Sequence, residues 1–520
     1  MSESTSSNKY PGIFALACVF ILAFSLSCFK VRSFDLPWHV RTGEWIVENR
    51  AVPRTDFYCF VREGEEWIDA QWLYQVVAFE TYHQLGEDGL TILNITLVIG
   101  SLVLLLAMAP AGGLRPEMRA LAGAIFLIGL NARIISRPEL LSCLYFAALF
   151  FLLERARNGR TWLLVLLPLV QLLWANSEGV WPIGLCLIGT YIADQAYEAR
   201  KSAAFTWRRP VPWPWAAALG ASVLACLVQP YGWKGFTFPF MLLEEVATGR
   251  TMQKQTIVEI QAMWQNPPIQ RAEELFFVLA AAAAAAVVMS GKKLRPALAL
   301  FGVLFIYLAV NARRNISFSS VALMGVLMAH LEILARTRPR LAAGRMAGLA
   351  VAGIAVIICL SISALTLGQP YREWDQTRRE PGFGLSRRYY PVPAAAFLKS
   401  IGYEGNIINN TRQGGFLIWY GWPRWKVFSE SRMEIKGEES LALWNRVYRN
   451  QAEFRAVAEL YHVEAVFVDQ WDQYLQRFAA QVLADKDWAL VFVDRDHNTL
   501  IFLKRVPRWH GVIALHEIKP

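Results

Sequence analysis

Only 18% of the 520 residues are charged and only seven are histidine, against 55% that are hydrophobic. Soluble globular chains carry about 25% charged residues. So low a charge, with positive mean hydropathy, excludes an ordinary soluble domain. Cysteine is equally uninformative as a scaffold. Cys18, Cys28, Cys59, Cys143, Cys186, Cys226 and Cys359 form no CxxC pair, so the spacing gives no disulfide framework. All but Cys59 fall in or beside apolar segments, and all seven read as small packing residues. The chain has no GxxxxGK[ST] phosphate loop, no HExxH and no GxSxG. Its turn Gln413-Gly414-Gly415-Phe416 lacks the dinucleotide pattern, and its histidines lack metal-ligand spacing. No repeat of 20–50 residues is visible. A net charge of +10 without a basic-aromatic array gives no nucleic-acid partner.

What the chain has is long apolar runs. Gly12–Phe29, Gly89–Ala109, Glu274–Ser290, Leu294–Val310 and Met346–Leu367 reach or approach the roughly 18 residues that cross a bilayer. With shorter runs, the expected spans are 12–29, 89–109, 119–135, 138–154, 161–176, 180–198, 214–230, 273–291, 294–312, 316–335 and 346–367. Basic residues collect in alternate short loops: Arg115 and Arg119; Arg155, Arg157 and Arg160; Arg200, Lys201, Arg208 and Arg209; Lys292, Lys293 and Arg295; Arg336, Arg338, Arg340 and Arg345. By the positive-inside rule these loops and the N-terminus are cytoplasmic. The expected protein is a multi-pass plasma (inner) membrane protein in contact with lipid. The first span is read as uncleaved.

The division expected is a helical bundle over 1–367 with an outer loop at 30–88, a linker at 368–390 and an extracytoplasmic α/β domain at 391–520. In the loop, 39–48 and 72–83 read as short interfacial helices, helped by Trp38, Trp45, Trp67 and Trp72. In the last domain, 393–401, 441–461 and 473–484 read as helices. The stretches 406–409, 416–420, 426–429, 465–468, 489–493 and 499–503 read as extended. The alanine run 280–286 reads as a close-packing helix face.

Asp35, in Ser33-Phe34-Asp35-Leu36-Pro37-Trp38-His39, follows the first span and stands at the mouth of the bundle. A carboxylate there suits a general base that takes a proton from a hydroxyl nucleophile. It equally suits a solvated loop acid. His39 lies one helical turn on and would orient Asp35 or help hold a divalent cation. Asp56 and Asp69 are further carboxylates of the loop, and Asp69 also suits a plain helix cap. Two outer turns share Asn-Ala-Arg: Asn131-Ala132-Arg133, followed by Arg137 and Glu139, and Asn311-Ala312-Arg313-Arg314. Arginine at a span end suits bidentate contact with a lipid phosphate, or pairing with Glu139 or Glu178. Glu178 lies in a third turn, Trp174-Ala175-Asn176-Ser177-Glu178-Gly179. In the last domain Arg412, Glu430, Arg432 and Glu434 are candidate acceptor contacts, or a solvated strand-and-turn edge.

These features resemble the GT-C glycosyltransferases: one acid in the first outer loop, many spans, outer arginines and a C-terminal α/β domain. The likeness is most specific at Asp35–Trp45, Trp174–Gly179 and Gly414–Tyr420. It implies inverting transfer of a sugar from a polyprenyl-phosphate donor to a glycan, lipid or protein acceptor on the outer face. Asp35 would match the family's first-loop acid as base. The chain departs from better-known members. Asp35 has no second acid beside it, and Trp419-Tyr420-Gly421-Trp422 only loosely echoes the oligosaccharyltransferase WWDYG motif. A metal and the acceptor class stay open. The competing readings are a transporter or flippase, and a non-catalytic assembly protein of the envelope.

Overall fold

The computed structural model describes residues 10–110, 112–201, 213–247, 258–265, 271–338, 345–368, 379–432, 435, 437–471 and 473–519. Glu434 and the loop cations Arg208, Arg209 and Arg340 lie outside them. The chain forms two compact units. One comprises Met1–Val31, Gly86–Pro239 and Ile257–Gly384; the other comprises Arg32–Leu85, Phe240–Thr256 and Leu385–Pro520.

The first unit is helical, and each expected span has a helix. Five helices are long and apolar enough to cross a membrane by length and composition: Tyr10–Ser27, Trp72–Leu106 (broken at Gly86, where the chain passes into the first unit), Phe276–Lys293, Arg313–Thr337 and Met346–Thr366. Shorter apolar helices stand at Thr161–Ala175, Trp213–Ala225 and Pro296–Asn311. The helix Ile316–Thr337 is buried on all sides from Ile316 to His330. It is mostly apolar from Val321 to Ala329, as suits a helix in the centre of a bundle. It packs against helices beginning at Pro116, Pro138, Phe276 and Pro296. Its small residues let neighbours approach, and Ser319 Oγ donates to the Phe305 carbonyl at 2.8 Å. Prolines at the first positions of the Pro116, Pro138 and Pro296 helices cost no hydrogen bond there. Cys186 is exposed rather than packed, so the packing expectation fails at that residue.

The second unit is built on a five-stranded sheet. The strands are β1 (Gly405–Asn409), β2 (Trp425–Val427), β3 (Ala465–Asp469), β4 (Trp488–Asp494) and β5 (Thr499–Lys504), in the order β2-β1-β3-β5-β4. β1 runs parallel to β2 and β3, and β5 antiparallel to β3 and β4. Ile408, Val466 and Phe502 meet Phe478, Trp444 and Phe454 in one core. Expectation put residues 30–88 with the membrane bundle; 32–85 instead belong to this unit. The reason lies in the backbone. Cys59 forms a parallel bridge with Val427, whose N–H donates to the Tyr58 carbonyl at 3.0 Å. The Phe60 N–H in turn donates to the Val427 carbonyl at 3.1 Å. The 55–60 segment thus lengthens the sheet beside β2.

Two other expectations fail here. Residues 416–420 are not extended; they lie in the helix Thr411–Gly421. Its aromatic run reads as a strand, but Gly414 and Gly415 decide the outcome. A Cβ on Gly414 would stand 2.0 Å from the Ser429 carbonyl oxygen, and one on Gly415 2.2 Å from that of Phe34. The helix lies against both backbones through its bare face. The 441–461 helix is two, Gly437–Arg449 and Gln451–Leu460. Asn450 divides them as an N-cap, its side chain accepting from the Ala452 and Glu453 N–H groups.

Candidate functional site

In the second unit Asp35 is the N-cap residue of the helix Leu36–Asn49, and its side chain makes no capping hydrogen bond. The local turn is held by others. Ser33 Oγ accepts from the Asp35 and Leu36 N–H groups, both at 3.3 Å. The Tyr390 hydroxyl donates to the Ser33 carbonyl at 2.8 Å and accepts from its N–H at 3.1 Å. The turn is thus fixed by Ser33 and Tyr390. Beside it the Arg412 guanidinium lies over three rings: Trp471 at 4.7 Å, Tyr389 at 5.3 Å and Phe34 at 5.5 Å. Arg32 lies over Tyr389 at 4.9 Å. Burial pushes the Tyr389 phenol well up, and the Asp35 carboxylate adds to the rise. Acid, phenol and two cations therefore share one locality, which suits a polar substrate with an ionisable hydroxyl.

His39 is placed differently from Asp35. Its ring is buried, 3.7 Å from the Trp38 ring and 5.3 Å from that of Tyr74 by centroid. Asp69 Oδ1 accepts from the Gln71 N–H at 3.1 Å and from Gln75 Nε2 at 2.8 Å. Asp69 thus braces the turn just ahead of the helix that starts at Trp72 rather than serving as its N-cap, a position that Gln71 takes.

Glu430 and Arg432 do not form a solvated edge but join Asp56 of the early loop. They are buried with Arg62 in a closed ionic network. Arg432 Nη2 meets Asp56 Oδ1 at 2.8 Å, and Arg432 Nε meets Glu430 Oε1 at 3.2 Å. Arg62 pairs with Glu430 and reaches Asp56 Oδ2 at 3.6 Å. It also donates to the carbonyls of Arg432 at 3.2 Å and Ile435 at 3.0 Å. The Arg432 guanidinium stacks 4.3 Å over Trp67. Burial works against the ionised Glu430, but Arg432 and Arg62 outweigh it and hold the carboxyl below the usual range. Cys59 Sγ lies 2.9 Å from Arg62 Nη2, while burial keeps this thiol protonated by raising its pKa. Arg62 and Cys59 carried no signal of this role; their partners are 368 and 371 residues away.

In the first unit Asn131–Arg133 folds as a single 3-10 turn, whereas Asn311 ends the helix Pro296–Asn311 and Arg313 opens the 3-10 turn Arg313–Asn315. The segment 258–265 connects them. Its Glu259 pairs with Arg133 at 3.5 Å and with Arg137, while its Gln261 carbonyl accepts the Arg313 N–H at 3.2 Å. Sequence reading missed Glu259, which lies in a stretch without helix or strand periodicity. Arg133 also grips Glu139 through both carboxylate oxygens, at 2.9 and 2.8 Å, the alternative the sequence allowed. Burial disfavours the ionised Glu259, but Arg137 and Arg133 hold it far below the usual range. Arg313 is buried, 3.7 Å from Glu273 and 3.2 Å from the Gln265 carbonyl. Arg314 is exposed, and no ion pair to it is found among the described residues.

Glu178 is buried in its turn and accepts from Ser142 Oγ, which itself accepts from Trp174 Nε1 at 2.8 Å. Burial, reinforced by the charge of Glu139, lifts the Glu178 carboxyl to about 7; Arg314 and Arg133 pull the other way. These residues make a basic rim with one acid poised near neutrality. An anion with a titratable oxygen suits such a rim. Among the described residues no three His, Cys, Asp or Glu side chains converge to hold a metal ion.

No family model and no curated protein sequence matches the chain. Solved structures do. One is the archaeal oligosaccharyltransferase AglB from Archaeoglobus fulgidus, in complex with an inhibitory peptide and a dolichol-phosphate. It is 12% identical with a TM-score of 0.59, over 97% of this chain and 75% of that one. Another is ArnT from Cupriavidus metallidurans bound to undecaprenyl phosphate, 11% identical with a TM-score of 0.55, over 95% of this chain and 98% of that one. The chain shares its fold with these two proteins along nearly its whole length, a helical bundle with a C-terminal domain.

Proposed function

We propose that the protein is an inverting glycosyltransferase that moves a sugar from a polyprenyl-phosphate donor to an envelope acceptor on the outer face of the membrane. The observation that carries this reading is the end-to-end likeness of fold to ArnT bound to undecaprenyl phosphate. In the reaction the Asp35 carboxylate removes the proton of an acceptor hydroxyl. The freed oxygen attacks the anomeric carbon from the face opposite the phosphate, and the carbon–oxygen bond to phosphate breaks with inversion. The bonding pair leaves on the polyprenyl phosphate. Within the first unit, exposed Arg314 is suited to contact a lipid phosphate. Arg133, Arg137 and Arg313, already paired with Glu139, Glu259 and Glu273, shape that rim and add positive field. Glu178, near neutrality, is suited to share a proton with an anion bound at that rim. Arg412 and Arg32 are suited to orient the acceptor around Asp35.

The test uses the purified protein in lipid nanodiscs with a panel of labelled polyprenyl-phosphate sugars and extracted envelope acceptors. Wild type is expected to release polyprenyl phosphate. Asp35→Asn is expected to lose about 10²–10⁴-fold of that rate while the variant stays folded, as its thermal unfolding checks. If no donor is bound or turned over by folded wild type, the reading fails.

A further inference from the structure

The alanine run 280–286 is not fully spent on packing. Ala283 and Ala286 are buried, whereas Ala284 and Ala285 are exposed. Where Ala282, Ala285 and Ala286 face the helices Pro116–Leu130 and Ile316–Thr337, they leave a cavity of about 530 Å³. This lies within the roughly 300–1,000 Å³ of ordinary ligand sites. Its other walls are apolar, with Met118, Ile125 and Leu331 among them. Sequence dictates the void: side chains of one carbon, on a helix whose neighbours carry long ones, leave volume that nothing among the described residues fills.

The mouth has a different character. Arg115 and Arg338 both line it. Arg338 is exposed with no ion pair among the described residues, and Arg115 is about a third exposed although it pairs with Glu117 at 3.1 Å. Both come from the basic loops, at the start of one helix and just past the end of another. An apolar trough ending in two guanidinium groups is complementary to an acyl chain ending in a phosphodiester. The helices that form it belong to the part of the chain that spans the bilayer, so lipid reaches it directly.

We infer that this trough is a binding site for an anionic glycerophospholipid, one acyl chain lying along the alanine face and the phosphate between Arg115 and Arg338. The site is distinct from the Arg133–Arg314 rim and does not depend on the glycosyltransferase reading. A retained lipid fills the volume that the alanines leave and ties the basic ends of three helices together.

Native mass spectrometry of the full chain, released from nanodiscs of equal phosphatidylglycerol and phosphatidylcholine, tests this. Wild type is expected to retain phosphatidylglycerol at least several-fold over phosphatidylcholine. Arg115→Gln/Arg338→Gln is expected to lose that preference while keeping its unfolding temperature. Ala285→Trp, which fills the trough, is expected to lose the retained lipid, and Ala284→Trp, outside it, to keep it. Equal retention of the two lipids by wild type overturns the inference. So does an unchanged Ala285→Trp, or displacement of phosphatidylglycerol by equimolar undecaprenyl phosphate. None of these outcomes touches turnover at Asp35.

Discussion

Arg432 offers the sharpest test of how the second unit is held together. It shares a buried network of two arginines and two carboxylates, so the network is neutral when all four are ionised. Arg432→Met leaves Asp56 and Glu430 facing Arg62 alone, at 3.6 Å from one and in direct contact with the other. Removing one partner of a buried ion pair costs about 3–5 kcal/mol, because the orphaned charge stays desolvated. Methionine keeps most of the volume against Trp67, so little of the loss should come from packing. Adding Asp56→Asn restores neutrality. The amide oxygen can still accept from the Tyr58 N–H, which the carboxylate now takes at 2.9 Å. The double variant is therefore expected to be more stable than Arg432→Met, although it carries one more substitution. Hydrogen exchange of the β1 and β3 amides, Ile407 to Asn409 and Val466 to Val468, reads this directly. Exchange should accelerate on the order of a hundredfold or more in the single variant and recover by at least tenfold in the double. If the double variant exchanges as fast as the single or faster, the charge-balance reasoning is wrong.

Other expectations follow from the same geometry. Glu430 is held below its unfolded value, so its contribution to stability is full above about pH 4.3 and fades as pH falls through the depressed folded value; Glu430→Gln should flatten that acid limb in a thermal melt. Glu178 runs the opposite way. Its folded value, about 7, lies above the unfolded one, so stability present below about pH 4.3 is lost as pH rises toward 7. Glu178→Gln should melt higher than wild type at pH 8 and equal it at pH 4. Arg314→Gln should weaken binding of undecaprenyl phosphate without lowering the melting temperature, whereas Arg133→Gln, which strands Glu139, should lower it. Gly415→Ala forces a methyl against the Phe34 carbonyl and should cost about 1–3 kcal/mol, read as faster exchange in the helix Thr411–Gly421.

Much of the architecture was legible because a bilayer writes its demands into contiguous sequence. Every expected span has its helix, and the strands 465–468, 489–493 and 499–503 stand where alternation placed them. What was not legible depended on distant partners. Arg62 looks like a loop cation until Glu430 arrives from the far end of the chain. Arg432 looks like a turn residue until Asp56 does. The run Phe416–Tyr420 has strand-forming residues, and only the backbones that pass Gly414 and Gly415 make it a helix. At the candidate site, Asp35 and the paired Asn-Ala-Arg turns were visible as motifs. Glu259, which joins Arg133 to Arg137, was not, because a lone acid in an aperiodic loop has no neighbour in sequence that marks it.

The bridge between Cys59 and Val427 also sets a timetable. A ribosome completes residues 32–85 hundreds of residues before it reaches the strands that complete their fold. Throughout that interval Asp56 and Arg62 lack Glu430 and Arg432, and aromatic side chains such as Tyr58, Phe60 and Trp67 lack their cover. Pairings so remote along the chain form slowly. The early segment must therefore be sheltered or kept soluble while the helices that follow it enter the bilayer. A chain truncated before residue 425 is expected to expose this aromatic-rich segment to proteases and chaperones, even if every helix of the first unit is already in place.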